Sequence, residues 1–236
     1  MRLFLSDLHL ESEKSPVFLT LSRLLATERH RCQAIYVLGD LLEVWVGDDD
    51  DGPLASALRT LFKETAAHCD LFMLRGNRDF LLGNEFARET GCQLLADESL
   101  INDTTMLAHG DTFCIDDAEY QKLRETLRDQ AWQQQVLAQP LSTRREMARS
   151  LREQSRQANA NKADNIMDVN ADELARIMSS GTATTLIHGH THRPGVHKHQ
   201  WGVRFVLGAW DRCGWLVREQ AGSMQLECIP LVESKK

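Results

Sequence analysis

Five short apolar runs, each stopping on residues that carry chemistry, constrain this chain more than any other feature. Arg2–Ser6 precedes Asp7-Leu8-His9, Ala34–Leu38 precedes Gly39-Asp40, and Leu71–Leu74 precedes Gly76-Asn77-Arg78-Asp79. Thr105–Ala108 precedes His109-Gly110-Asp111, and Thr185–Ile187 precedes His188-Gly189-His190-Thr191-His192. Continuous apolar runs this short, bounded by turn residues, read as strands buried on both faces. Between them, Val17, Leu21, Leu24 and Leu25 recur at helical spacing within Pro16–His30, and Leu54–His68 has the same character. Glu85–Thr90 reads as a short helix stopped by Gly91. Further strand-like runs follow at Val203–Leu207, Trp215–Val217 and Met224–Ile229. Strands alternate with helices early and crowd together late, which predicts a mixed α/β sandwich of two packed sheets with helices outside.

A chain of 236 residues can bury one substantial core, and 42% hydrophobic with 26% charged residues suits a soluble globular protein. A net charge of −7 argues against general nucleic-acid binding, which needs Lys and Arg to neutralise phosphates. The charge is uneven: Gln121–Lys162 is net +5, which leaves −12 elsewhere. A segment at about 117–180 is helix-compatible, broken at Pro140 and striped by Trp132, Val136, Leu137 and Leu141. It is expected to be a helical insertion within a single domain spanning 1–236. The apolar run after Met1 is too short for a signal peptide, and no stretch is long enough to span a bilayer. Six cysteines without a C-x-x-C pair are expected to be reduced thiols in a cytoplasmic protein. Asp48–Asp51, followed by Gly52-Pro53, reads as a solvated turn.

In open α/β sheets ligands bind outside the carboxyl ends of strands, so residues distant in sequence can converge there. Two aspartates, several histidines and an asparagine brought together in this way would repel one another or lose solvation without a cation. Oxygen and imidazole donors without thiolate suit Mn²⁺, Fe²⁺, Zn²⁺ or, less well, Mg²⁺. Two such ions about 3.5–4 Å apart can share a bridging hydroxide and clamp a phosphoryl group for in-line displacement. Asp40, at the end of a central strand, is the candidate bridging carboxylate. His188 fits a packed strand-end histidine better than a ligand, and His30, His68, His197 and His199 read as surface residues.

Asp7-x-His9, Gly39-Asp40-x-x-Glu43, Gly76-Asn77-x-Asp79, His109 and Gly189-His190-x-His192 resemble, in order, the five signature blocks of the calcineurin-like metallophosphoesterases. The resemblance implies that family's two-sheet sandwich flanked by helices, with a helical lid insertion. It implies one metal held by Asp7, His9, Asp40 and His192, and a second by Asp40, Asn77, His109 and His190. One departure is informative. The family pattern places a histidine, acid to the leaving group, where this chain has Arg78. Arginine does not give up its proton, but it clamps phosphate oxygens, which favours a leaving group that is itself a phosphate.

The surrounding blocks, among them Leu41–Asp50, Phe80–Gly83, Asp116-Asp117 and Ile166–Asn170, are similar to the branch of that family that cleaves UDP-2,3-diacylglucosamine in bacterial lipid A synthesis. That similarity implies a metal-dependent pyrophosphate hydrolase, usually with Mn²⁺, attacking the α-phosphate to give UMP and 2,3-diacylglucosamine 1-phosphate. Asn77 and Arg78 would be catalytic. Substrate contacts would come from Asn77, Arg78, Asp117, Ser155, Asn159, Lys162 and His190. Ser155, Asn159 and Lys162 are spaced by four and three, so a helix would put them on one face. The basic segment could rest on an anionic bilayer, giving a peripheral position on the cytoplasmic face of the inner membrane with no obligate protein partner. Competing expectations are a phosphodiesterase or phosphoprotein phosphatase on the same scaffold, and a non-catalytic lipid- or nucleotide-binding protein.

Overall fold

The computed structural model describes residues 1–159 and 168–233, with no side-chain description for 154–159. Its elements run in chain order β1 (Arg2–Leu5), α1 (Pro16–Glu28), β2 (Ala34–Leu38), α2 (Pro53–Ala66), β3 (Asp70–Leu74), α3 (Asn84–Thr90), β4 (Gln93–Leu94), β5 (Glu98–Ile101) and β6 (Thr105–Ala108). There follow α4 (Ala118–Arg128), α5 (Gln130–Leu137), α6 (Leu141–Asn159), α7 (Ala171–Ser179), β7 (Thr185–His188), β8 (Gly195–His199), β9 (Gly202–Val206), β10 (Cys213–Gln220) and β11 (Ser223–Pro230). Caps behave as the sequence suggests: Ser15 accepts from the Phe18 N–H ahead of Pro16, and Gly91 ends α3 in the left-handed region.

One sheet has the order β11-β10-β1-β2-β3-β4 and the other β5-β6-β7-β9-β8. Strands β1, β2 and β3 run parallel in the first, and β6, β7 and β9 in the second. Their facing surfaces share an apolar layer that includes Phe4, Tyr36, Leu107, Ile187 and Phe205. Within it, Phe4, Tyr36 and Phe72 stack across β1, β2 and β3 with ring centroids 5.0 and 4.8 Å apart. The opposite face of the first sheet, with Leu3, Leu5, Ile35 and Val37, packs against Leu21, Leu58 and Phe62 of α1 and α2. Helix α7 covers the outside of the second sheet through Leu174 and Met178. Because Phe4 is fully buried at one end of the ring stack, Phe4→Ala is expected to cost about 3–5 kcal/mol, read as a lowered urea midpoint.

The mixed α/β sandwich matches expectation, and so do the five principal strands within a residue or two. Strands β4, β5 and β8 were not foreseen. Each is short, and β8 (Gly-Val-His-Lys-His) lacks an apolar face. His199 is therefore a half-buried strand residue stacked on Trp201, with centroids 4.6 Å apart, rather than a surface histidine. The expectation of six reduced thiols also needs correction. The β10–β11 hairpin sets Cys213 opposite Pro230 and Trp215 opposite Cys228, so the two cysteines meet diagonally and form a disulfide. Cys32, Cys69, Cys92 and Cys114 remain thiols.

The acidic turn is more than solvated. Asp48 accepts from the Gly83 and Phe86 N–H groups and from the Trp45 indole, while Asp49 pairs with Arg144 and Asp50 with Arg145 of α6. The turn thus fastens α6 to the body of the protein. Among the described residues, no helix is long and apolar enough to cross a membrane.

Candidate metal centre

Past the ends of β1 and β2 the chain stays laced: the Asp7 N–H donates to Gly39 O, His9 to Asp40 O, and Glu43 to Leu10 O. Asp7, His9, Asp40, His190 and His192 all have φ between 47° and 66°. Left-handed backbone is uncommon for side-chain-bearing residues and costs energy, so five instances in one place mark a site held by its surroundings. Glycines leave room for the crowding. A Cβ at Gly189 would collide with Asp7 Oδ2 and Ser6 Oγ, and one at Gly76 would collide with Asp40 Oδ1. The second sheet is tied in by the His190 N–H donating to the Asp7 carboxylate at 3.0 Å, and by His109 Nδ1–H donating to Leu38 O at 2.9 Å.

All seven expected metal ligands come together. His9 Nε2 lies 3.1 Å from His192 Nε2, which is 3.3 Å from Asp7 Oδ1. His109 Nε2 lies 2.9 Å from Asn77 Oδ1 and 3.6 Å from Asp40 Oδ1, and His190 Nδ1 is 2.9 Å from the same Asn77 oxygen. Asp40 sits between the two sets, with Oδ2 4.0 Å from His9 Nε2, the position a bridge would take. Asp7 reaches both sets as well: Asp7, His9 and His192 form one cluster of converging donor atoms, and Asp7, Asp40 and His109 another.

The chemistry of these donors fits a cation. Since the Leu38 carbonyl can only accept, His109 Nδ1 carries the hydrogen, and in the neutral ring Nε2 turns a lone pair toward the lone pairs of Asn77 and Asp40. Acceptors facing acceptors need a proton or a positive ion between them.

Without an ion, protons take that place. Burial opposes charge on His109, yet the carboxylates of Asp40, Asp7 and Asp111 overcome it and push the imidazole up to about 9. His9 is raised in the same way: burial resists, but Glu43, Asp40 and Asp7 prevail. Burial would raise Asp7, but His192, His109 and His9 hold it below the ordinary carboxylate range. Burial and the charge of His109 bring His190 down to about 4, so it stands neutral and ready to ligate. A ligating imidazole must be deprotonated, so cation binding at pH 7 has to expel the His109 proton. Mn²⁺ affinity is therefore expected to rise with pH up to about 9 and flatten above it, with proton release in weakly buffered solution. Binding at pH 7 without released protons would remove His109 from the ligand set.

Of the expected substrate contacts, Asn77, Arg78, Asp117 and His190 line one cleft, together with His9, Asp40 and Tyr120. Asp117 is also the N-cap of α4, accepting from the Tyr120 N–H. Ser155 and Asn159 lie on the backbone of α6, and Lys162 lies outside the described residues. Asn77, Arg78 and Tyr120 line a second, largely apolar pocket too, walled by Trp45, Phe80, Leu127, Trp132, Val136 and Met147. Arg78 thus stands where the metal cleft meets an apolar slot. Its backbone N–H donates to Asp40 Oδ1 at 2.8 Å, and among the described residues its buried side-chain Nε has no hydrogen-bond partner.

Several residues of the site were not foreseen. The Tyr120 hydroxyl donates to Asp111 at 2.8 Å, and its ring lies 5.7 Å from that of His190. Asp79 accepts from the Gly76 and Leu41 N–H groups and so joins the two loops that carry Asn77 and Asp40. Burial, reinforced by Asp40, raises its carboxyl to about 6. Asp79 was visible in its motif, whereas Tyr120 carries no local signal because only folding brings α4 beside His190, past the end of β7. His188 is fully buried behind the cage, as expected of a packed histidine.

A family model described as calcineurin-like phosphoesterase matches residues 2–194. The chain is 41% identical to a protein of Cellvibrio japonicus (strain Ueda107) named UDP-2,3-diacylglucosamine hydrolase, across 95% of this chain and 97% of that one. A protein of the same name from Pseudomonas syringae pv. tomato is 40% identical, across 98% and 97% of the two chains. Among solved structures, a dimetal phosphatase from Danio rerio superposes with a TM-score of 0.52 at 14% identity, covering 98% of this chain and 96% of that one. An archaeal phosphodiesterase gives 0.51 at 11% identity, covering 97% and 99%. These two likenesses are of fold.

Proposed function

The chain belongs to the calcineurin-like phosphoesterases, and from that premise we propose that it hydrolyses the pyrophosphate bond of UDP-2,3-diacylglucosamine, a step of lipid A synthesis. The observation that carries this reading is Arg78, placed at the junction of a carboxylate–imidazole cage and an apolar slot. A phosphoanhydride would lie in the first, and acyl chains in the second. The relatives' names supply the same substrate across nearly the whole chain.

Two Mn²⁺ ions held by Asp7, His9, Asp40, Asn77, His109, His190 and His192 would supply Lewis acidity, neutralising phosphoryl charge and making water more acidic. The protein's own groups do the rest. Asp40 and Asn77 fix the geometry of the cage. Arg78 offers its guanidinium to the phosphate oxygens on which charge builds as the anhydride breaks. Water oxygen bonds to the α-phosphorus, the bridging oxygen leaves with the β-phosphate, and the products are UMP and 2,3-diacylglucosamine 1-phosphate. That leaving group needs no acid, which fits an arginine in place of a histidine. Asp117, with Ser155, Asn159 and Lys162 from the segment at about 117–180, would hold the nucleotide and sugar, and α6 would act as a lid.

We place the protein peripherally on the inner membrane's cytoplasmic face. Exposed Leu123, which lines the apolar slot, and exposed Leu137 support contact with lipid. The basic segment supports it less. Arg124 pairs with Asp111 and Asp97, Arg128 with Asp97, Arg144 and Arg145 with the acidic turn, and Arg152 with Glu11 and Glu43. The deciding experiment is turnover of UDP-2,3-diacylglucosamine with Mn²⁺ in ¹⁸O water. The label is expected in UMP. Label in the sugar phosphate would overturn attack at the α-position, and cleavage only of phosphodiesters or phosphopeptides would overturn the substrate.

A further inference from the structure

Among the described side chains of helix α6, Arg152 is the one that reaches the metal cage. Arg152 Nε lies 2.8 Å from Glu43 Oε1, and the other carboxylate oxygen of Glu43 lies 3.0 Å from His9 Nδ1. Neither contact is aligned as a straight hydrogen bond: the first is a close ion pair, and the second sets the His9 ring against a carboxylate oxygen. The far nitrogen of His9 is the one that faces His192, Asp7 and Asp40. Glu43 is fixed to the body, because its N–H donates to Leu10 O, next to His9 in the chain. Arg152 also pairs with Glu11, so a single guanidinium joins two carboxylates from separate loops. The same helix walls the apolar slot through Met147, Ala148 and Leu151.

We propose that Arg152 is a positioning residue that couples the docking of α6 to the metal cage through Glu43 and His9. Partners of ligating histidines set ring orientation and donor strength, and their loss commonly lowers metal affinity about 10–100-fold. Here that partner is itself held by an element of the inserted segment. Anything that seats α6, acyl chains in the slot included, tightens the cage, and by reciprocity a bound cation holds α6 down. The proposal rests on the metal cage of the preceding section.

The test uses Mn²⁺ alone, without substrate. Free Mn²⁺ is titrated by electron paramagnetic resonance against the wild-type chain and the variants Arg152→Gln, Arg152→Lys, Glu43→Gln and Arg145→Gln. Arg152→Gln is expected to weaken binding about tenfold, and Arg152→Lys to recover part of the loss, since it keeps the charge without the planar fork. Arg145→Gln removes the contacts of α6 to Asp50 and Asp51 but not the link to His9, so it is expected to weaken binding by clearly less than Arg152→Gln does, and an equal loss would overturn the route through Arg152. Hydrogen exchange supplies the converse. Mn²⁺ is expected to protect the α6 amides around Arg152 in the wild type and to leave them unprotected in Glu43→Gln. Wild-type affinity in Arg152→Gln, or equal protection in Glu43→Gln, would overturn the coupling alone. A wild-type chain that binds no Mn²⁺ would overturn the cage as well.

Discussion

Asp40→Asn is expected to lower turnover on the order of a thousandfold or more while leaving the metal-free chain folded. The change is narrow. Asparagine tolerates the left-handed backbone of position 40, where φ is 49°, and its amide oxygen can still accept the Arg78 N–H. Only the negative charge between His9 and His109 is lost. Without metal that charge acts in both directions: it helps to raise the buried Asp79 carboxyl to about 6, and it favours the protonated imidazole of His109, raised to about 9. A carboxyl raised in the folded state is more easily ionised in the unfolded chain, so it detracts from stability as pH rises from about 4 to above 6. Asp40→Asn should relieve that cost and flatten this part of the pH–stability curve. Thermal melts in chelator, set beside turnover with Mn²⁺, check both halves. Loss of the melting transition, or activity within tenfold of wild type, would count against the role given to Asp40. Asp40→Ala is the blunter experiment, because it also strains the backbone and strands the Arg78 amide.

Arg78→Ala is expected to reduce kcat/KM about 10²–10³-fold, the loss typical when one group that stabilises transition-state charge is removed. The backbone N–H of residue 78 survives the change to alanine, so the contact to Asp40 and the shape of the cage should persist. Mn²⁺ affinity should therefore change little. Arg78→Lys is expected to restore only part of the rate, because an ammonium cannot grip two phosphate oxygens in one plane. If alanine lowered the rate and Mn²⁺ affinity together, Arg78 would be a support for the cage rather than a phosphate clamp.

The strands that deliver the site could be read from the chain because both faces of each are covered, which leaves an unbroken apolar run ending sharply at polar residues. The ligands could be read for a related reason. Each of Asp7, Asp40, Asn77, His109 and His190 follows such a run directly, so sequence position and spatial position coincide. Where neighbours come from afar, local pattern is silent. The Asp48–Asp51 turn looks like a solvated loop until α6 brings Arg144 and Arg145 to it across about a hundred residues. Tyr120 and Arg152 look like ordinary helix residues until their helices are docked. Cys213 and Cys228 become partners only through the register of a hairpin whose strands extend beyond their apolar centres. The edge strands β4, β5 and β8 escaped notice because a strand covered on one side or neither does not need an apolar run.

The loops that contribute to the cage are divided between the two sheets. Asp7, His9, Asp40 and Asn77 follow strands of the six-stranded sheet, while His109, His190 and His192 follow strands of the five-stranded one. Neither half is a complete receptor, so ion capture has to come after the halves have joined. An ion caught there works as a rivet, adding stability that grows with the logarithm of its free concentration. Supply of that cation would then govern the working life of the molecule as well as its rate, with starved chains the first to open and be degraded.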